Sequence, residues 1–312
     1  MTRALHRGLV LLAVAVASVS GCTDDIPSTS LDDAVYTLWG RLDPTSSTQA
    51  VRVSPILKTA DAEEPASLDV TVTTTHLRTG EVTTWRDSSF TFPSGRLAHV
   101  FLADFRPEYG AAYLFRVRRP DGQETTAQFT VPPRVVPTFA PSEPVPEPIQ
   151  LILPAAPRIV GAKVTYAIRV LRSYGQVGPA RGDLIEETVI DSEAPELYEF
   201  GWTLPVRFGV HTGRLDQRMI DLQVKCFTVE GIRIGGAVAN ETWAAPYPLS
   251  FSRELLIQPT AVTNVDNGFG FVGAAYAFDV VWPFDPLVIQ RADLVNRDSR
   301  YRMTDPPCRS TS

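Results

Sequence analysis

The chain has 312 residues, with 29 Lys and Arg against 35 Asp and Glu, and a formal net charge of −6 at pH 7. That balance argues against a nucleic-acid ligand and against adhesion to anionic lipid, because both depend on clustered positive charge. The 26 prolines and 20 glycines, with frequent alternation of apolar and polar residues, predict a turn-rich, mostly β protein.

The N-terminus has the features of an export signal. Two arginines and a histidine start the chain, and the apolar run at 9–17 is shorter than the roughly 20 residues of a membrane-spanning helix. The next residues, VSGC (19–22), resemble the bacterial lipobox. The resemblance implies a lipoprotein signal peptide at 1–21, cleavage before Cys22 and a diacylglycerol on its thiol. The alternative is an ordinary secretory signal with an unrelated cysteine.

The expected lipid would anchor the protein at the membrane without crossing it, since several acyl chains on one cysteine hold a protein stably. The most apolar later segment, 269–289, carries two aspartates and two prolines, which are costly inside lipid. Thr23 follows Cys22, and Asp24 and Asp25 come next, a pattern similar to the surface-export signal of some Gram-negative lipoproteins. We therefore expect an outer-membrane location, facing the cell surface in preference to the periplasm.

Next comes a polar stretch at 22–33, which predicts a flexible tether, and then a series of short strands at 34–133. The run at 97–105 is apolar on both faces, which favours a central strand. Arg-Thr-Gly at 78–80 and Pro-Asp-Gly at 120–122 are turn signals. Roughly six to eight strands in about 100 residues predict an immunoglobulin-like or transthyretin-like β-sandwich.

A proline-rich segment divides the chain. Residues 134–148 include PSEPVPEP, which stiffens the backbone toward polyproline II and predicts a linker. Apolar and polar residues alternate again at 164–170 and at 220–226, so both segments are predicted strands. We therefore predict a larger β-rich domain at 149–312.

NVDNGFGFVG (264–273) could be a ligand-binding loop or a turn that leads into a buried strand. Anion binding would require several backbone amides that converge, usually at the start of a helix. Asn267-Gly268 is a strong turn dipeptide, and bulky apolar residues follow it. The turn is the favoured interpretation, with Gly270 and Gly273 allowing close packing or a bulge.

Three segments together resemble a known family. They are YTLWGRLDPTSSTQAVRVSPI (36–56), YLFRVRRPDGQETTAQFTVP (113–132) and TNVDNGFGFVGA (263–274). With the lipobox, they are similar to an uncharacterised family of outer-membrane lipoproteins, domain of unknown function family 4249. The resemblance implies an N-terminal β-sandwich before a larger β-rich region and supplies no catalytic residues. It associates the chain with outer-membrane uptake systems.

Catalytic and metal-binding patterns are hard to find. His76, His99 and His211 have no paired ligand spacing, so each is predicted to be a surface residue or a satisfied core residue. No nucleophile elbow, P-loop or dinucleotide fingerprint occurs. Glu186 and Glu187 are adjacent, but a glycosidase needs carboxylates held apart in a cleft. We predict no catalytic residues, no metal and no cofactor.

Cysteines and one tripeptide leave alternatives open. Cys226 and Cys308 could form a disulfide in an oxidising envelope, or Cys226 could be a buried free thiol on the apolar face of its strand. Arg-Gly-Asp at 181–183 matches an adhesion tripeptide but is first of all a turn signal.

Aromatic residues are the candidate contact residues. Trp202, Trp243 and Tyr247 lie in or beside predicted loops, where exposed rings could form a platform for sugars or a partner protein. Alternatively, they close the ends of a sandwich core.

The leading hypothesis is a non-enzymatic, membrane-anchored binding or scaffold component of a cell-surface or nutrient-uptake complex. Its partner would be an outer-membrane transporter or another surface complex, and its ligand is unspecified. The alternatives are a surface glycan-processing hydrolase and a structural adhesin.

Overall fold

The protein is mostly β, as its composition and alternation predict. The computed structural model describes residues 35–56, 66–91, 97–139, 149–173, 178–190, 196–198, 201–206, 208–243, 263–282 and 297–298. These ranges contain eighteen strands and one helix.

The strands before the proline-rich segment are β1 Tyr36–Leu42, β2 Thr48–Pro55, β3 Thr71–His76, β4 Val82–Thr84, β5 Arg86–Thr91, β6 Leu97–Asp104, β7 Ala112–Arg118, β8 Glu124–Thr130 and β9 Thr138–Phe139. The elements after it are β10 Ile149–Leu153, β11 Arg158–Ser173, β12 Leu184–Ile190, β13 Glu196–Tyr198, β14 Gly201–Val206, α1 Phe208–Asp221, β15 Val224–Ala239, β16 Val265–Asp266, β17 Gly268–Val281 and β18 Arg297–Asp298.

The first core lies between two sheets, as the sequence predicts. One is the part β17-β1-β2-β6-β5 of a nine-stranded sheet that continues through β15, β11 and β12, and the other has the order β16-β8-β7-β3-β4. Apolar residues alternate along the central strands and point inward, as Val51 and Val53 do in β2 and Phe115 and Val117 do in β7. The edge strand β5 is exposed along its whole length. β6 lies between β2 and β5, so the prediction of an interior strand at 97–105 is confirmed.

At two places within the described residues, a single residue carries the chain from one sheet of this sandwich to the other. Between β4 and β5 the crossing residue is Trp85, whose Nε1 donates to Thr74 Oγ1 at 2.8 Å. Between β16 and β17 it is Asn267, with a φ of 53°. Because each crossing residue is bonded to a strand of each sheet, it ties the two sheets covalently at that side of the core.

The second core involves β11, β15 and the end of β17, the sheet β13-β14-β10-β9, and helix α1. The predicted strand at 164–170 is confirmed, since its four apolar residues are fully buried in β11.

The predicted strand at 220–226 is wrong in its first half, because α1 runs to Asp221 and β15 begins at Val224. The buried face of the helix, His211, Leu215 and Met219, repeats every four residues, which is a helical period.

β17 joins the two cores. Its first half, Gly268–Ala274, runs parallel to β1, and its second half, from Ala275, runs antiparallel to β15. The predicted division at 134–148 stays a prediction. In the structure, Val265 and Val272, which come from the C-terminal part of the chain, pack in the first core.

The motif at 264–273 forms the turn and buried strand that its sequence predicts. Asn264 brackets Val272, whose N–H donates to Asn264 Oδ1 at 3.0 Å and whose carbonyl accepts from Asn264 Nδ2 at 2.6 Å. Gly270 has a φ of 100°, and its α-carbon faces the Leu38 carbonyl so closely that a Cβ would lie 2.0 Å from the oxygen. The polar groups of Asn264 therefore fix the fold of the chain and do not face a ligand.

Tyr276 in β17 holds the connector that follows β8. Its hydroxyl accepts from Val135 N at 2.7 Å and donates to Pro133 O at 2.8 Å, and burial raises the pKa of Tyr276. We expect Tyr276→Phe to lower the free energy of unfolding by about 1–3 kcal/mol, because a buried N–H loses its acceptor. Tyr36→Phe is the control, since the Tyr36 hydroxyl makes no hydrogen bond to a described residue. Equal urea-denaturation midpoints for the two variants would contradict this role.

Candidate functional site

A cleft of about 670 Å³ opens between the β3–β4 turn and the loop that leads from β6 into β7. It is lined by Leu77, Arg78, Glu108, Tyr109, Gly110, Ala111 and Ala112. The volume is within the range of ligand-binding pockets in proteins, about 300–1,000 Å³.

Two tight turns shape the walls of the cleft. Gly80 closes the β3–β4 hairpin with a φ of 75°, and Gly110 turns the loop before β7 with a φ of 76°. The walls are joined by a backbone hydrogen bond from Leu77 N to Ala112 O at 2.9 Å, and Gly110 N donates to Val131 O at 3.0 Å. These bonds make both walls part of the rigid sandwich.

Glu108 is the polar centre of the cleft. Its Oε2 lies 3.2 Å from His76 Nε2, and its Oε1 accepts from Arg78 Nη2 at 2.6 Å. The Glu108 N–H donates to the Tyr113 hydroxyl at 2.9 Å. One residue thus links the loop to the hairpin and to the strand beneath.

His76 has a defined tautomer. Its Nδ1 accepts from the N–H groups of Arg78 and Thr79 at 3.2 and 3.3 Å, so Nε2 carries the proton and donates to Glu108. Both ring nitrogens are engaged, and His76 is buried. In this geometry His76 orients Glu108 and has no lone pair available to act as a general base.

The hydrogen bond from His76, and then that from Arg78, lower the pKa of Glu108. A carboxyl with a depressed folded-state pKa stabilises the fold above its unfolded value of about 4.3, and loses this effect as pH falls through the folded value. We therefore expect Glu108→Gln to lower the melting temperature at pH 7, and the difference from wild type to shrink toward pH 3. Glu81→Gln, in the same hairpin, is the control for the lost charge. A difference that is constant from pH 7 to pH 3 would contradict the ion-pair role.

The other two histidines are buried and hydrogen-bonded. His99 Nδ1 lies 2.8 Å from Asp87 Oδ2, and Ser89 is opposite His99 in the β5–β6 register. This set resembles an acid–base–nucleophile arrangement, but His99 is 0% exposed, so a substrate has no access to it here. His211 Nδ1 lies 2.6 Å from the buried Tyr166 hydroxyl. The prediction of satisfied core histidines is confirmed.

Two of the predicted aromatic contact residues lie in or against cores. Trp243 is 2% exposed and packs edge-on against Phe271, in a small cluster that also contains Trp39. Trp202 is half-buried against the second core and donates from Nε1 to the Pro157 carbonyl at 3.0 Å. Both positions fit the core-closing alternative. Tyr247 lies outside the described residues.

The Arg-Gly-Asp segment forms a turn between β11 and β12. Gly182 has a φ of 93°, and the Asp183 carboxylate accepts from Ala180 N at 2.7 Å. That carboxylate therefore stabilises its own turn, as the turn interpretation predicts.

The adjacent Glu186 and Glu187 form separate ion pairs with arginines, with Arg233 at 2.8 Å and with Arg218 at 3.1 Å. They lie on a strand surface and not across a cleft.

Cys226 is buried and disulfide-bonded, which excludes the free-thiol alternative. Its partner lies outside the described residues, as do Cys308 and the predicted lipidation site, Cys22. The Cys226–Cys308 pairing stays a prediction.

The cleft residues were not identified from the sequence. The sequence predicts the turn at 78–80 but gives no signal for the cleft, because Glu108 and His76 are 32 positions apart in the chain. Only the β3–β7 pairing, which places His76 opposite Tyr113, brings the two turns together.

Comparisons with protein-family models and with curated proteins find no match to this chain. Within the described ranges, no helix has the length and apolar character to cross a membrane. In the same ranges, no group of three or more His, Cys, Asp or Glu side chains is arranged to hold a metal ion.

Proposed function

We propose that this protein is a lipoprotein, anchored to the outer membrane through Cys22, that acts as a non-enzymatic binding component of a cell-surface or nutrient-uptake complex. The observation that carries the anchor is VSGC, directly after a basic start and an apolar run of signal-peptide length. The resemblance to an outer-membrane lipoprotein family agrees with it.

The geometry of the cleft supports binding in preference to catalysis. His76 and Glu108 are bonded to each other, and both ring nitrogens of His76 are engaged, so the imidazole has no lone pair available for proton transfer. The cleft is open and has an apolar wall with a charged pair, which are the elements of a recognition surface.

The anchor is tested by Cys22→Ala. We expect radiolabelled palmitate to enter the wild-type protein and the lipobox control Ser20→Ala, and no label to enter Cys22→Ala. The wild-type protein should fractionate with the outer membrane, and protease treatment of intact cells should degrade it if it faces outward. Label in Cys22→Ala, or none in wild type, would refute the anchor.

The partner role is tested by affinity purification from solubilised outer membranes. We expect a transporter or other integral protein to enrich above the level seen with an unrelated lipoprotein. The absence of any such protein after cross-linking would refute membership of a complex while leaving the anchor intact.

A further inference from the structure

We propose that the cleft between the β3–β4 turn and the β6–β7 loop binds an extended segment of a partner protein in which a large apolar side chain is followed by a carboxylate. This inference rests on the proposed binding function and names the surface and the chemistry of the partner.

The apolar part of the site is exposed on the hairpin. Leu77 is 43% exposed and lines the cleft, and Val82 is 56% exposed. Val82 pairs with Thr75, so its side chain is on the same outer face of the sheet as Leu77, two residues further along the strand direction. Ala112 continues this surface into the cleft. Two large aliphatic side chains beside a cavity are an anchor point for an apolar side chain.

The charged part of the site has unused donors on Arg78, whereas each oxygen of the Glu108 carboxylate already accepts one hydrogen bond. Arg78 is 71% exposed in its side chain and donates from Nη2 to Glu108. Its Nε and Nη1 make no hydrogen bond to any described residue, although a guanidinium carries five donors. Glu108, in contrast, already binds both His76 and Arg78. The unused donors of Arg78 at the entrance of the cleft therefore fit a hydrogen-bond acceptor. A carboxylate is the anion whose two oxygens match the edge of a guanidinium group.

The backbone around the cleft restricts how such a segment can bind. Leu77 N, Gly110 N and Ala111 N all donate to carbonyls within the protein. Strand addition to the sheet is therefore not available at these positions, because it needs free backbone donors. The partner segment is therefore recognised through its side chains. Its apolar side chain lies in the cavity, and its carboxylate binds Arg78.

The test is a titration of the full chain in detergent with three peptides: acetyl-Gly-Leu-Asp-Gly-amide, its Asn analogue and its Lys analogue. Amide chemical shifts of Gly110, Ala111 and Ala112 report binding. We expect the Asp peptide to shift them with a Kd of about 1 mM, and the Asn and Lys peptides to bind about threefold more weakly or worse.

Two arginine variants locate the carboxylate. Arg78→Gln should weaken the Asp peptide to the level of the Asn peptide, while Arg119→Gln should leave it unchanged. Arg119 is also exposed and ion-paired, with Asp121 at 2.9 Å, so both variants lose the same charge. Leu77→Ala should weaken all three peptides, and thermal melts confirm that each variant is folded.

No shift at about 10 mM Asp peptide, equal binding of the Asp and Lys peptides, or equal effects of the two arginine variants would overturn the proposal. These outcomes are independent of palmitate labelling and of the affinity purification. Failure of the cleft can therefore be told apart from failure of the anchor or of the complex.

Discussion

Gly270→Ala should prevent the protein from folding. A Cβ at Gly270 would lie 2.0 Å from the Leu38 carbonyl oxygen, and the φ of 100° is a conformation that L side chains rarely adopt. The clash is with backbone in the parallel β1–β17 pair, so no side-chain movement relieves it. Relief requires the strands to separate at the centre of the nine-stranded sheet. We expect Gly270→Ala to lower the free energy of unfolding by more than about 4 kcal/mol, which is a large part of the stability of a typical domain.

Gly80→Ala is the matched control for Gly270→Ala. Gly80 has a φ of 75°, but nothing lies within 4 Å of the position where its Cβ would be. Alanine there has only the conformational penalty of about 1–2 kcal/mol. Soluble yield and urea denaturation measure both variants. If the two variants lost free energy of unfolding to within about 1 kcal/mol of each other, the close approach of β1 and β17 would be contradicted.

The same motif shows what sequence can predict and what it cannot. Asn267-Gly268 and the apolar residues after it identify a turn and a buried strand, because both signals are local. The partner of that strand is β1, more than 200 positions earlier in the chain, and no local signal specifies a parallel neighbour. The two glycines reflect the close approach of β1, since Gly268 and Gly270 both face carbonyls of that strand.

Helix α1 was missed for a different reason. Two glycines and a threonine in FGVHTGRLDQRMID lower the helix propensity, and the residues after it continue an apparent alternation into β15. The helix is stabilised by packing, since Leu215 and Met219 are fully buried in the second core. Tertiary burial overrides weak local preference here.

The sequence did not predict the cleft, because the cleft depends on contacts between turns that are distant in the chain. For the aromatic residues the sequence suggested contact sites where the structure has core residues. Trp243 is beside a proline-containing segment that suggests an exposed loop, yet its ring closes a cluster with Phe271. Composition near a residue predicts whether it is in a loop, but not which way its side chain points.

Loss of the Cys226 disulfide should have the second-largest effect. We expect Cys226→Ala to lower the free energy of unfolding by about 2–5 kcal/mol, because the unfolded chain regains the freedom of a closed loop. Wild type in reducing agent should match the variant, and the variant itself should not respond to reducing agent. Urea denaturation under both conditions measures this. A wild-type midpoint that is insensitive to complete reduction would contradict a stabilising role.

The identity of the disulfide partner bears directly on the anchor. The chain has 3 cysteines, so Cys226 pairs with Cys22 or with Cys308. A Cys22 that carries diacylglycerol on its sulfur has no thiol left to oxidise. The lipid anchor therefore requires the Cys226–Cys308 bond, which would fix the C-terminal segment to β15. Mass mapping of non-reduced peptides should recover that pair from membrane-derived protein, and a Cys22–Cys226 peptide would refute the anchor and the pairing together.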